Sequence, residues 1–204
     1  MAVEDLQADL QCIMQGEVKE TVEQRMSEFS RVEDPFSELC FCVMTANAGA
    51  QKSMEVQKAL SPEFRQADQE TLRLLLKQCG YRFINRAAYI CHNRRYQDIG
   101  DILRRFQDQR EAREWLVRHV KGLGYKEASH FLRNVGYTGV AIIDRHVLRL
   151  MKRYGLIEKI PDSLSGKRYL ELERVLERVA DHLGITLAEL DLYLWYMETG
   201  KILK

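Results

Sequence analysis

The stretch Val120-Lys121-Gly122-Leu123-Gly124-Tyr125-Lys126 decides how the chain is read. Ahead of it, Ala112, Trp115, Leu116 and Val120 recur on one face of a helix. Behind it, Ala128, Phe131, Leu132 and Val135 repeat that spacing until Gly136 supplies a stop. Two glycines one residue apart thus join two helices through a very tight turn, with backbone angles that other residues avoid. Gly124 is expected to hold the conformation that a Cβ disfavours. Such a turn leaves N–H groups unpaired at the positive end of the second helix, and those donors suit a phosphate. Alone, the pattern is equally that of an ordinary glycine-containing turn between helices.

Outward from this turn nearly everything reads as helix. Only three prolines occur, Pro35, Pro62 and Pro161. Tyr169, Leu172, Leu176, Val179 and Leu183 form the clearest stripe, closed by Gly184. Val147, Leu150, Met151 and Tyr154 form another, closed by Gly155. Residues 39–46 are apolar all round and predict a central, buried helix. The fold class is all-α, built of many short helices.

The segment Val140-Ala141-Ile142-Ile143-Asp144-Arg145-His146 carries the second signal. A short apolar run delivers an acidic residue to the start of the 147–154 helix. By itself Asp144 reads as an N-cap. That role leaves room for another, since one carboxylate oxygen can cap while the other faces a cleft.

Composition narrows the partners. The chain has 204 residues and a net charge of +1, but residues 81–155 carry 16 basic side chains against 7 acidic ones. A basic block within a nearly neutral protein suits a polyanion, or a set of solvated helix faces. No run of about 18 apolar residues is present, so no membrane span is expected. Residues 1–10 lack a signal-peptide pattern. The cysteines, Cys12, Cys40, Cys42, Cys79 and Cys91, lack zinc-ribbon spacing and read as reduced core thiols in a cytosol. Neither metal nor cofactor is expected.

Lys121-Gly122-Leu123-Gly124-Tyr125-Lys126, followed by the aspartate of Ile142-Ile143-Asp144-Arg145-His146, resembles the helix-hairpin-helix DNA glycosylases. More narrowly, the chain is similar to the short 8-oxoguanine DNA glycosylase/lyases of archaea and some bacteria. That resemblance extends to Val43-Met44-Thr45-Ala46-Asn47, to Arg82-Phe83-Ile84-Asn85-Arg86 and to the ending Leu194-Trp195-Tyr196-Met197-Glu198-Thr199-Gly200-Lys201-Ile202-Leu203-Lys204. It implies Lys126 as catalytic nucleophile and Asp144 as catalytic carboxylate. It also implies two helical lobes with a DNA-binding cleft between them. Residues 31–139 form the lobe ending in the hairpin, and residues 1–30 with 140–204 form the other.

The chemistry accounts for those residue types. An amine can attack the sugar C1′, expel the base and become a Schiff base, which then permits β-elimination. A glycosylase that uses water cannot do this, so a lysine points to a bifunctional enzyme. The amine must be uncharged to attack, which basic neighbours would favour. Asp144 would accept a proton or stabilise the oxocarbenium-like transition state. The damaged base must leave the stack and enter a pocket. Phe83 and Trp195 are the candidate walls, each also readable as ordinary core. The resemblance implies that the C-terminal Lys204 takes part in reading the oxidised guanine. Asn47 is the candidate to fill the vacated position and to pair the orphaned cytosine. Gly122 and Gly124 are expected to hold phosphate. Arg82, Arg86, Arg94 and Arg95 are phosphate candidates on charge alone, whereas His130 and His146 read as local hydrogen-bonding residues.

The expected partner is double-stranded DNA containing 8-oxoguanine or abasic sites, met by a monomer in the cytoplasm, associated with a prokaryotic nucleoid. A pyrimidine-specific glycosylase/lyase of the endonuclease III type is the rival, without the iron–sulfur cluster, since no cysteine follows position 91. Outside enzymes, the sequence also suits a non-catalytic DNA-binding helix-hairpin-helix module or a helical interaction scaffold. Deleting Lys204 should reduce excision of 8-oxoguanine more than cleavage at preformed abasic sites, where no base is read. Equal losses on both substrates would indicate general misfolding, and no loss on either would remove Lys204 from lesion reading.

Overall fold

The computed structural model describes residues 2–46 and 48–202. Among them every regular element is helical, as the glycine-punctuated stripes require. In chain order the helices are α1 (Ala2–Ile13), α2 (Gly16–Phe29), α3 (Pro35–Thr45), α4 (Ala50–Leu60), α5 (Glu63–Gln66), α6 (Gln69–Gln78) and α7 (Arg86–Asn93). They continue as α8 (Ile99–Leu103), α9 (Gln109–His119), α10 (Tyr125–Asn134), α11 (Arg145–Arg153), α12 (Gly166–Leu183) and α13 (Leu187–Thr199). A 3-10 turn, Arg94–Tyr96, lies between α7 and α8. The chain divides into two compact units. Val32–Phe131 form one, and the residues up to Arg31 with those from Leu132 on form the other.

In the Val32–Phe131 unit, α3 is the centre. Asp34 caps it, accepting from the Ser37 N–H at 3.0 Å. Pro35 opens it at a position where a missing N–H costs nothing. Every residue from Phe36 to Thr45 is buried, so the helix has no solvent side, and α4, α7 and α8 pack around it. Asp68 and Asp108 cap α6 and α9 through their carboxylates. Cys40 and Cys42 sit inside α3 as free thiols. Burial pushes the Cys40 thiol well above its ordinary range, which leaves it unreactive.

In the other unit, α13 is buried on several sides by Leu187, Ala188, Leu190, Leu192, Tyr193 and Leu194. Helices α2, α11 and α12 pack against it. The stripe of α12 is buried through Tyr169, Leu172, Leu176 and Val179. Its predicted stop is met by Gly184 in the left-handed conformation, at φ 67°. A capping box starts α13: the Glu189 N–H donates to Thr186 Oγ1 at 3.2 Å, and the Thr186 N–H donates to Glu189 Oε2 at 2.7 Å. Among the described residues no helix is long and apolar enough to cross a membrane.

The box is the local device that starts the helix carrying Trp195. Thr186→Ala should therefore cost about 1 kcal/mol and lower the Tm by roughly 2–4 °C. A thermal melt followed by circular dichroism checks this, and an unchanged Tm would make the box dispensable.

Candidate active site

Helix α9 ends at His119, and Val120 is already extended at φ −91°, ψ 117°. Gly122 then takes φ +93°. A Cβ there would stand 2.8 Å from Tyr89 Cδ2, so the position excludes side chains twice over. Gly124 is not in the left-handed region, and a Cβ there would meet only Glu127 Oε2, at 3.4 Å. The restricted conformation expected at Gly124 therefore belongs to Gly122, because that residue turns the chain against Tyr89.

Helix α10 starts immediately. Its first closed backbone bond runs from the Ala128 N–H to the Gly124 carbonyl, at 2.9 Å. The N–H groups of Tyr125, Lys126 and Glu127 thus belong to the open, positive end of the helix. Lys126 is partly buried, and its Nζ lies 3.7 Å from Glu127 Oε1. This charged neighbour is an acid, where the chemistry favours a base. The residues flanking Lys126 fix its helix. Tyr125 donates its hydroxyl to Glu114 Oε1 at 2.6 Å. The fully buried Arg113 lies 5.5 Å over the Tyr125 ring and donates to Ser129 Oγ at 3.2 Å.

Asp144 is positioned by a segment that has no strand beside it. Val140, Ala141, Ile142 and Ile143 are buried and non-helical. Helix α12 satisfies their backbone instead. The Ala141 N–H donates to Glu173 Oε1 at 2.8 Å, and the Ile143 N–H donates to the Tyr169 hydroxyl oxygen at 3.0 Å. The Tyr169 hydroxyl in turn donates to the Ala141 carbonyl at 2.8 Å. Tyr169 and Glu173 are one turn apart, so two side chains do the work of a neighbouring strand. Asp144 then caps α11: Oδ1 accepts from the N–H groups of His146 and Val147 at 2.8 and 2.9 Å. Both capping bonds fall on Oδ1, which leaves Oδ2 for a partner outside the helix.

The start of α11 faces α13. The His146 ring meets Trp195 edge-on at 4.7 Å, and its Nδ1 lies 4.0 Å from Glu198 Oε1. Glu198 also draws in Arg149 at 3.8 Å and Arg153 at 3.1 Å. Trp195 Nε1 and His146 Nδ1 are buried without a hydrogen-bond partner. Sequence reasoning passed over Tyr169, Glu173 and Glu198. A signal for Glu198 was available in its helical spacing from Trp195, three residues earlier, and in the Arg149–Arg153 pair four residues apart.

The remaining candidates separate by what holds them. Arg82 is exposed and stacks 5.5 Å from the Phe83 ring, which packs edge-on against Tyr81 at 6.2 Å. Arg86 lies 5.2 Å over the Tyr89 ring and donates to the Ala46 carbonyl at 3.3 Å. Arg94 is occupied with the carbonyls of Glu63, Phe64 and Ala67 around α5, and Arg95 donates to the His92 carbonyl at 3.2 Å. Asn47 and Lys204 lie outside the described residues. Lys126, Gly122, Gly124, Phe83, Arg82 and Arg86 belong to the Val32–Phe131 unit, whereas Asp144 and Trp195 belong to the other. A groove of about 270 Å³, lined by Glu17, Val18, Thr21, Tyr196, Gly200 and Ile202, adjoins the last described residues. Among the described residues no three His, Cys, Asp or Glu side chains gather in a way that would hold a metal ion.

Residues 22–185 match a family model described as 8-oxoguanine DNA glycosylase. An 8-oxoguanine DNA glycosylase/AP lyase of Korarchaeum cryptofilum is 46% identical over 209 aligned residues, covering 100% of both chains. A crystal structure of the Methanocaldococcus jannaschii 8-oxoguanine glycosylase/lyase, in complex with a 15mer DNA containing 8-oxoguanine, is 43% identical. It superposes with a TM-score of 0.94 over 98% of this chain and 99% of that one. The 8-oxoguanine DNA glycosylase of Thermotoga maritima is 44% identical, with a TM-score of 0.92 over 99% of this chain and 100% of its own.

The two hairpin glycines should respond differently to a methyl group. Gly122→Ala should destabilise by about 1–2 kcal/mol through its positive φ alone, with a further loss as Tyr89 is displaced. Gly124→Ala should stay within about 0.5 kcal/mol of the parent. Urea denaturation ranks the two, and the reverse order would contradict the turn geometry.

Proposed function

The chain belongs to the 8-oxoguanine DNA glycosylase family, and we propose that it excises 8-oxoguanine from duplex DNA and cleaves the remaining abasic site through a Schiff base on Lys126. The observation that carries this reading is the place of Lys126. It stands partly buried in the first turn of α10, directly behind a hairpin whose open N–H groups suit a phosphodiester.

The steps follow from the groups available. The hairpin at Gly122–Gly124 holds the DNA backbone, and the damaged nucleotide is rotated out of the stack. The lone pair of Lys126 Nζ forms a bond to C1′. The C1′–N9 bond breaks, and its electrons leave with the base, which takes up a proton. Opening of the C1′–O4′ bond and loss of a proton from the attached nitrogen give the Schiff base. A proton then leaves C2′, the C3′–O3′ bond breaks, and the 3′ phosphate departs with that electron pair. Positive charge develops on the sugar as the C1′–N9 bond breaks. Asp144 is the residue whose carboxylate would stabilise it, with Oδ1 held by the cap and Oδ2 available.

Base reading is assigned to Trp195 and Phe83 as walls and to Lys204 as the terminal contact. Asn47 is assigned to the vacated position opposite cytosine. Arg82 is the phosphate candidate with its side chain exposed. Arg86 is held by Ala46 and Tyr89 and is assigned to the shape of the turn ahead of Asn47. The enzyme acts as a monomer in the cytoplasm, on nucleoid DNA.

Two substitutions test the roles separately. Lys126→Gln should abolish trapping of a covalent protein–DNA adduct by borohydride while leaving DNA binding largely intact. Full trapping by that variant would reject Lys126 as the nucleophile. Asp144→Asn keeps the shape and the cap but removes the charge. The single-turnover rate of 8-oxoguanine release should then fall by about 10²–10³. An unchanged rate would leave Asp144 as a cap and nothing more.

A further inference from the structure

We propose that Asn93 is a positioning residue that sets the aim of the hairpin toward the DNA phosphate, an inference that rests on the hairpin-to-phosphate reading above. Asn93 is the last residue of α7 and is only 1% exposed. Its Nδ2 donates to the Lys121 carbonyl at 2.9 Å, and the Lys121 N–H donates to its Oδ1 at 2.9 Å. One side-chain amide thus closes both hydrogen bonds of a single residue, 28 positions away.

Lys121 is the place where such a clamp has leverage. The last bond of α9 is made by the Val120 N–H to the Leu116 carbonyl, at 2.9 Å. The turn contributes only the Leu123 N–H to the Val120 carbonyl, at 3.4 Å, a length at which a hydrogen bond is weak. Lys121 therefore lies beyond the first helix and before the second, with backbone groups that neither helix satisfies. Asn93 supplies the partner that the turn lacks.

The same helix face grips the next residue. Tyr89, one turn before Asn93 on α7, is the side chain that a Cβ at Gly122 would strike at 2.8 Å. Tyr89 sets how close Gly122 lies, and Asn93 sets the plane of the peptide that enters it. Together they define the direction in which the N–H groups around Gly124 point. Because its two bonds engage the peptides on either side of the Lys121 Cα, the clamp restrains both backbone angles of that residue.

The test compares Asn93→Asp and Asn93→Ala with Gly124→Val in the full chain. The aspartate keeps the acceptor for the Lys121 N–H but sets an anion against its carbonyl. Alanine removes both bonds. Gly124→Val covers the outer face of the hairpin without touching the clamp. Affinity for undamaged duplex, and for duplex carrying a tetrahydrofuran abasic analogue, is measured across salt concentrations. For the Asn93 variants the slope of log K against log salt should shrink by about 0.9, the share of one phosphate. The half-saturating DNA concentration for trapping at a natural abasic site should rise about tenfold, as expected for a lost hydrogen bond to a charged group. The saturated trapping rate should fall far less than that.

A loss of stability alone moves the melting temperature without moving the salt slope. If Gly124→Val shrinks the slope and neither Asn93 variant does, Asn93 is not a positioning residue and the hairpin reading survives. If none of the three changes the slope, the hairpin reading fails and this inference falls with it. Hydrogen exchange on the unaltered protein keeps the inference falsifiable should the variants not fold. The Lys121 amide should exchange slowly in the absence of DNA, and exchange at the rate of an unstructured chain would overturn the clamp.

Discussion

The hairpin passes so close to Tyr89 that a methyl group at residue 122 would stand 2.8 Å from its ring, and this crowding constrains the candidate site. There the chain leaves α9 in an extended conformation at Val120, turns through a positive φ at Gly122 and enters α10 at Tyr125. The N-terminus of α10 then lies open two residues beyond the turn, where a phosphate can meet backbone donors. Lys126 follows in the first helical turn. The open helix end and the Lys126 amine are thereby carried on consecutive residues, and the position of one fixes the position of the other.

The carboxylate depends on a different constraint, that buried backbone must be paired. Residues 140–143 enter the interior of their unit without a strand to lie beside. Tyr169 and Glu173 pair them from α12, and the segment then ends in Asp144 at the start of α11. Because both capping bonds use Oδ1, the cap orients the carboxylate without consuming it. The same side chain can therefore serve the fold and, as proposed, the chemistry. The cluster of Glu198 with His146, Arg149 and Arg153 ties α11 along its length to the helix that bears Trp195.

Much of this was legible in the sequence. Helices were legible because apolar residues recur with helical spacing and stop at glycines, and Gly136, Gly155 and Gly184 all take positive φ. The burial of α3 was legible because residues 39–46 offer no polar face. Asp144 was legible as an N-cap, which it is, whereas the catalytic roles of Lys126 and Asp144 rest on the family resemblance and stand as a proposal. What was not legible depends on neighbours distant in the chain. That Gly122 and not Gly124 takes the positive φ, and that Tyr89 closes the space beside it, are not written in the Gly-Leu-Gly pattern. Tyr169 reads as part of an apolar stripe, yet its hydroxyl pairs a segment 26 residues earlier. Arg86 and Arg94 count as free charge in a sequence, but backbone carbonyls claim both in the structure. Asn93 carried no signal, because an asparagine at the end of a helix is ordinary.

In the proposed reaction the hairpin delivers one particular amine, that of Lys126, to the sugar. Peptide mapping by mass spectrometry of the borohydride-reduced adduct tests it most directly, after nuclease digestion of the DNA. Trypsin does not cleave after a modified lysine, so the deoxyribose remnant is expected on a peptide that runs through Lys126 from the hairpin into α10. A remnant on Lys121, on the chain's α-amino group or on any other amine, with Lys126 unmodified and cleavable, would contradict it.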